Sequence, residues 1–482
     1  MTCENVGPIN GQLDNLTPTE RRMATENIRS LVFNYSLPTV IGMMVNALYN
    51  IVGRFWIGQI EGEVGALAYT GVGLMIPISN VILAFAQLVG IGAASNISIK
   101  LGQNDKKGAE EILNNAFVLS IVLSILISIF GYIYAPQILM LSGASERTLP
   151  YALSYGRIII GGCIFQVVSF SMNHCIRATG NPKRFASTQL LGGVINIILV
   201  PIFIFSLGFG PDGAAIATVI SQFISAVWVF SYYFGKKAPL KFYRKFMKIN
   251  PKTVMIIFSI GLSPFLMQVS NSVVNTILNN SLKFYGEMQF GDGDLAVGAM
   301  TLINTMSIFF ITPIIGINQG VQPIVGFNYG RKDYRRAKSA FLWSVVYSTA
   351  LCVFGWTMIQ LLPEQLALIF NKNEAINMIA SRGMRFFLLC LPVIGFQSCS
   401  ANFFQAIGRA QLSILLNASR QLMILTPLAL ILPRFLGIDG IWYSGAIADF
   451  TAFLISAVII MRELKIINRK IEIEDNLIGL EK

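Results

Sequence analysis

Charge is what this chain has least of. Only 12% of its 482 residues are Asp, Glu, Lys or Arg, against about 25% in an ordinary soluble domain, while 54% are hydrophobic. Length alone would suggest about three soluble domains, but this composition excludes a soluble protein of that size. The apolar runs continue almost to the end of the chain, which also excludes a soluble core held by one or two anchors. Histidine is nearly missing, with His174 alone. Hydrolysis or group transfer needs a cluster of His, Asp, Glu or Ser, so a membrane-embedded enzyme is disfavoured. The six cysteines (Cys3, Cys163, Cys175, Cys352, Cys390 and Cys399) show no CxxC or CxxxC spacing, which points to free thiols and to no metal site. No Walker pattern occurs, and Gly90-x-Gly92 lacks the preceding strand that a nucleotide site requires. Residues 1–28 are polar and carry Glu20, Arg21, Arg22 and Glu26. They lack the apolar core of a cleaved signal, and the N-terminus is expected to stay where it is made.

What is present is a series of apolar runs. A helix needs roughly 20 apolar residues to cross a bilayer, and twelve candidates occur: 31–58, 65–98, 110–135, 151–176, 185–206, 213–235, 253–282, 294–324, 337–361, 377–406, 411–433 and 439–462. An outer-membrane barrel would instead alternate over ten-residue segments. The expected fold is an all-α polytopic membrane protein. With the N-terminus cytoplasmic, the loops on that side hold Lys100, Lys106, Lys107, Lys183, Arg184, the Lys236–Lys252 cluster, Arg331 to Lys338, and Arg462 to Lys470. The opposite loops hold Arg147, Lys283, Lys372 and Arg434. The positive-inside rule therefore places both termini in the cytoplasm, and it accounts for the net charge of +12 without nucleic acid.

Sliding the chain against itself by about 228 residues superposes Gly92 on Gly320, Gly102-x-x-Asp105 on Gly330-x-x-Asp333, and Arg177-x-x-Gly180 on Gln405-x-x-Gly408. Asp212-Gly213 falls within one residue of Asp439-Gly440, and Ser36-Leu37-Pro38 matches Leu262-Ser263-Pro264 at nearly the same offset. The chain thus divides into an N-terminal tail (1–30), a first lobe of six spans (31–235), a basic linker (236–252), a second lobe (253–462) and a C-terminal tail (463–482). Each lobe has an even number of spans, so the two are parallel repeats. Rocking parallel lobes about a central site is a transporter's alternating access.

Several stretches carry a family resemblance. They are Ala47-Leu-Tyr-Asn-Ile-Val-Gly-Arg-Phe-Trp-Ile-Gly58, Ile176-Arg-Ala-Thr-Gly-Asn-Pro-Lys183, Asn196-Ile-Ile-Leu-Val-Pro-Ile-Phe203, Asn318-Gln-Gly-Val-Gln-Pro-Ile-Val-Gly-Phe-Asn-Tyr-Gly330 and Phe404-Gln-Ala-Ile-Gly408. In these the chain resembles the multidrug and toxic compound extrusion (MATE) family. The resemblance implies export of varied, often cationic, organic drugs or dyes from the plasma membrane, driven by inward flow of H⁺ or Na⁺, with no resident cofactor. A monomer in contact with membrane lipid is expected. Gly53, Thr179 and Val200 stand where relatives are often acidic, so the first lobe lacks the family's usual carboxylates.

Polar side chains within spans are functional candidates, because hydrocarbon offers them no partner. Asn46, Asn50 and Arg54 step by four along one helical face, and Gln268, Asn271 or Ser272, Asn275 and Asn279 form a similar stripe in the duplicate span. Both stripes are expected at the cleft between lobes, with interhelical hydrogen bonding as the competing reading. Met172 and Asn173, with other methionines, are further expected lining. Asp449 is the one carboxylate well inside a span and the expected ion-coupling residue. Burial without a close arginine would suit that role, whereas pairing with Arg420 would make it structural. His174 reads first as a packing residue and second as a proton relay, and Arg177 reads as a charge of the inner loop. A lipid-linked sugar flippase is the nearest rival function, and a channel is formally open.

Overall fold

The computed structural model describes residues 16–60, 62–141, 144–235, 238–370 and 374–480. Helices dominate, as backbone in hydrocarbon must satisfy its own N–H and C=O groups, and among the described residues there is no strand. A short polar helix, α1 (Pro18–Thr25), is closed by a capping box between Thr17 and Glu20. The first lobe follows as α2 (Ile28–Gly58), α3 (Gly62–Leu74), α4 (Ile76–Gly102), α5 (Lys106–Leu141), α6 (Leu149–Ala178), α7 (Pro182–Pro201) and α8 (Gly210–Tyr233). The second lobe comprises α9 (Pro251–Phe290), α10 (Gly293–Gly330), α11 (Tyr334–Leu361), α12 (Pro363–Phe370), α13 (Glu374–Phe387), α14 (Leu391–Ala406), α15 (Ala410–Ala418), α16 (Thr426–Ile431), α17 (Pro433–Leu436) and α18 (Ile438–Leu480).

Among the described residues, eleven stretches are long and apolar enough to cross a membrane, and α13 with α14 makes a twelfth, bent by 56°. The expected spans are found, with local revisions that have proline-based causes. Span 377–406 bends because Pro392, at the start of α14, has no N–H to offer the preceding turn. Span 65–98 is two helices parted at Met75, just before Pro77. Span 411–433 passes from α15 into a π-helical segment, Ser419–Leu425, before Pro427 of α16, and span 185–206 ends in another, Ile202–Ser206, after Pro201. Helix α18 runs on through 463–480, the stretch expected as a tail.

The repeat seen in the sequence has a structural meaning at one end of the bundle, the end that carries the basic loops. Asn104 and Lys332, equivalent in the two lobes, both take positive φ (59° and 68°) and hand the chain to an aspartate that caps the next helix. Asp105 Oδ1 accepts from Gly108 N at 2.9 Å, and Asp333 Oδ1 accepts from Arg336 N at 3.0 Å. The Lys100 ammonium, 2.8 Å away, and the Gly108 amide hold the Asp105 carboxyl below its ordinary range.

The lobes meet along α2 with α10 and along α4 with α9. The linker does not hang free in its described part, residues 238–252. Adjacent Asn114 and Asn115 of α5 hold it: Asn114 accepts from Tyr243 N (2.9 Å) and donates to Lys241 O (3.2 Å), and Asn115 accepts from Asn250 N (2.8 Å) and donates to Phe246 O (3.1 Å). Helix α1 crosses the seam at the same end, where Met23 O accepts from Asn328 and Arg336, and Glu26 O accepts from Arg336 at 2.7 Å.

Candidate functional site

The seam between lobes carries several of the polar side chains that the spans contain. On α9, Gln268 donates to Asn80 Oδ1 of α4 (3.2 Å), and Asn80 donates in turn to Ser272 Oγ (3.3 Å). Gln268 therefore bonds across the cleft through Asn80. Nearer the basic end, Asn96 of α4 donates to Ile256 O at 3.3 Å.

The other expected residues fall differently. Asn271 accepts from Gln421 of the π segment at 2.7 Å, within the second lobe, and Asn46 donates to Gln189 of α7 at 3.3 Å, within the first. Asn275 is exposed. The side chain of Asn50 lies outside the described residues. Met172 and Asn173 are buried in the first lobe and offer a ligand no surface in this arrangement. Met172 O accepts from Tyr233 Oη (2.8 Å), and Asn173 donates to Phe185 O (3.3 Å).

Asp449 is buried and pairs with Arg420, which the π segment carries. The close arginine is thus present, which is the arrangement expected of a structural pair. A π-bulge widens the helix by one residue, and here it aims a long cation at the buried Asp449 carboxylate.

Arg177 overturns its expected place in a loop. It is fully buried, 0% exposed, in the last turn of α6, and it grips the second lobe by donating to Gln319 O and, at 2.8 Å, to Gln322 Oε1. Gln322 Nε2 donates to Ser95 Oγ of α4 (2.6 Å) and reaches Gln405 Oε1 of α14 at 3.5 Å. One glutamine thus ties four helices from both lobes. Arg177 also donates to His174 Nδ1 at 2.9 Å, and the His174 ring packs between Phe170 and Phe185 at 4.4 and 5.3 Å. Among the described residues, His174 Nε2 and Arg177 Nε have no partner. Composition gave no sign of this cluster, but the repeat did. Arg177 and Gln405 superpose in the duplication, and both end on Gln322.

The comparisons agree with this architecture. A family model described as MatE matches residues 38–202 and again 267–431, once in each lobe. Multidrug export protein MepA of Staphylococcus haemolyticus is 26% identical over 425 residues, covering 88% of this chain and 91% of that protein. MepA of Staphylococcus aureus strain MRSA252 is 25% identical over 436 residues, covering 89% and 92%. A solved structure described as the outward-facing conformation of a multidrug resistance MATE family transporter of the MOP superfamily superposes with a TM-score of 0.87 at 24% identity, covering 94% of this chain and 100% of that one. A MOP superfamily transporter from Pyrococcus furiosus, whose binding pocket is described as reversed in polarity, superposes with a TM-score of 0.87 at 25% identity, covering 94% and 99%.

Proposed function

This chain belongs to the MatE family, and on that premise we propose that it is a multidrug exporter of the plasma membrane. It moves chemically varied organic molecules, often cationic, by alternating access, and it is driven by inward flow of H⁺ or Na⁺. The observation that carries this reading is the seam. Two parallel lobes touch along α2 with α10 and α4 with α9, and polar side chains such as Asn80, Gln268 and Gln322 bond across the contact. Hydrogen bonds of this kind are worth about 0.6–2 kcal/mol each in a membrane, enough to hold one state and few enough to exchange for another.

In this reading the basic end faces the cytoplasm with both termini, and a single chain in lipid does the work. Asn46, Asn50, Gln268, Asn271 and Asn275 supply polar contacts to the cargo as the cleft opens. Asp449 couples an ion in this reading only by exchanging its structural partner, an arriving H⁺ or Na⁺ displacing Arg420 from it. Loss of ethidium from cells bearing the protein tests the reading, with proton and sodium ionophores added separately. Efflux that stops with one ionophore supports a coupled exporter, and efflux indifferent to both removes the coupling.

A flippase of lipid-linked or other amphipathic substrates is the second reading. What favours it is the pair of arginines inside spans, Arg177 and Arg420, since a phosphate headgroup needs cations at membrane depth.

A further inference from the structure

Helices α6 and α7 of the first lobe carry no carboxylate, yet α6 holds a titratable group whose arginine partner reaches across the seam. We infer that His174 is a proton-binding site of the transport cycle, and that protonating its Nδ1 releases Arg177 from the second lobe and opens the basic end. The inference rests on the alternating-access reading proposed above.

The geometry fixes the tautomer. Arg177 donates to His174 Nδ1 at 2.9 Å, so that nitrogen carries a lone pair and the ring proton sits on Nε2. The same guanidinium donates to Gln319 O and Gln322 Oε1 of α10, so one side chain holds both the imidazole and the opposite lobe. When hydronium delivers a proton to Nδ1 and leaves as water, an N–H bond forms and the lone pair is consumed. The Arg177 donor then faces an N–H instead of an acceptor, and two cations stand about 3 Å apart in a dry site, where charge repulsion is little screened. Arg177 leaves, and its contacts with α10 leave with it.

Nothing nearby offsets the second charge. Helix α4 brings Gly90 against the ring's Cβ, α7 brings Phe185, α10 brings Gln319 and Gln322, and the Tyr233 hydroxyl of α8 is already spent on Met172 O. On α6 itself the neighbours are Phe170, Cys175 and Arg177. Among the described residues, Arg177 is the charged group that acts on His174, and no carboxylate does. A pair of groups that accepts one charge but not two is a switch. Its direction suits an exporter: a proton entering from outside while the basic end is closed drives the chain to the inward-open state, and release inside restores the lock.

The test uses the full chain in lipid nanodiscs, with spin labels on Lys107→Cys and Lys465→Cys, exposed positions at the basic end of the two lobes. Inter-label distances are read by pulsed electron resonance between pH 8.5 and 5.5. The expected result is an open-to-closed ratio that rises by up to about tenfold per pH unit below its midpoint, the limit for a single linked proton. In His174→Gln the ratio does not vary with pH. Arg177→Gln, in which protonation no longer sets two cations together, also loses the slope and carries the test independently if the histidine variant does not purify. A wild-type slope retained in either variant overturns the proposal. A wild-type ratio that moves with added ethidium but not with pH overturns the His174 assignment alone, and one that moves with neither overturns the alternating-access reading beneath it as well.

Discussion

Gly102 and Gly330 face each other across the seam at the basic end, each lying against the other lobe's helix. A Cβ on Gly102 would stand 2.0 Å from Phe327 O, and a Cβ on Gly330 would stand 2.2 Å from Ile99 O. These are equivalent positions in the repeat, so the contact is twofold. Because the obstacle is backbone, Gly102→Ala and Gly330→Ala are expected to push the lobes apart there at a cost of about 1–3 kcal/mol, the usual range for overpacking. Labelling of Ser98→Cys by a polar thiol reagent from the basic side should rise in both variants. Unchanged labelling would mean that the lobes close elsewhere.

The turns that follow these glycines are expected to matter for stability. Asp105→Ala and Asp333→Ala each remove a cap, costing about 0.5–2 kcal/mol of helix stability. The Asp105 carboxyl is held below its ordinary range, so its ionic contribution is complete above the unfolded value and is lost only as pH falls through the lower folded one. Thermal melts in detergent should therefore show the same Asp105→Asn deficit at pH 7 and pH 5.5. A deficit that vanishes at pH 5.5 would contradict the assigned direction.

The linker prediction concerns Asn114 and Asn115. Each side chain makes two hydrogen bonds to linker backbone, and each bond is worth about 1 kcal/mol net. Asn114→Ala with Asn115→Ala should expose Lys241, Arg244, Lys245 and Lys248 to trypsin, with cleavage several-fold faster than in the wild type. Equal cleavage rates would show that the linker is held by its aromatic contacts alone.

Asp449 and Arg420 separate structure from coupling through a double replacement. Asp449→Asn leaves the half-buried Arg420 without its carboxylate, at a cost below the roughly 3–5 kcal/mol of breaking a fully buried pair from one side. Adding Arg420→Gln removes the stranded charge, and stability should return. If Asp449 carries the ion, ion-driven efflux stays lost in this stable double variant, and recovered efflux would return the pair to a structural role. A family-like acid in the first lobe is better restored at Gly53, where an added Cβ meets nothing within 4 Å, than at Val200, which is buried beside Ile204 and Ala214. Gly53→Asp should express normally, and Val200→Asp poorly.

Much of the fold was legible because bilayer physics leaves few options. Uninterrupted apolar length fixed the spans, and the offset between Gly102 and Gly330 fixed the repeat. The broken spans were less legible, since Pro392 and Pro427 announce a disturbance but not whether the helix bends by 56° or widens into a π turn. For the site, the spacing picked out the stripe on α9, of which Gln268 bonds to Asn80 of α4 while Asn271 bonds to Gln421 within the second lobe. Arg177 was misplaced because a cation near a span's end ordinarily reaches water. Its three acceptors, Gln319, Gln322 and His174, are four spans further along the chain or on its own helix, and no local pattern joins them. The Asn114–Asn115 clasp was missed for the same reason, as its partners are backbone atoms more than a hundred residues distant.

The central claim is that transport requires the lobes to part at the basic end. Asn96 and Ile256 touch across the seam there, side chain to backbone at 3.3 Å. In a background with the six native cysteines replaced by alanine, Asn96→Cys and Ile256→Cys can be bridged by a short, reducible bis-thiosulfonate in the purified protein. The bridged protein in liposomes should neither move ethidium nor respond to an imposed ion gradient, and cleaving the bridge with reductant should restore both. Full ethidium transport with the bridge intact would contradict the account.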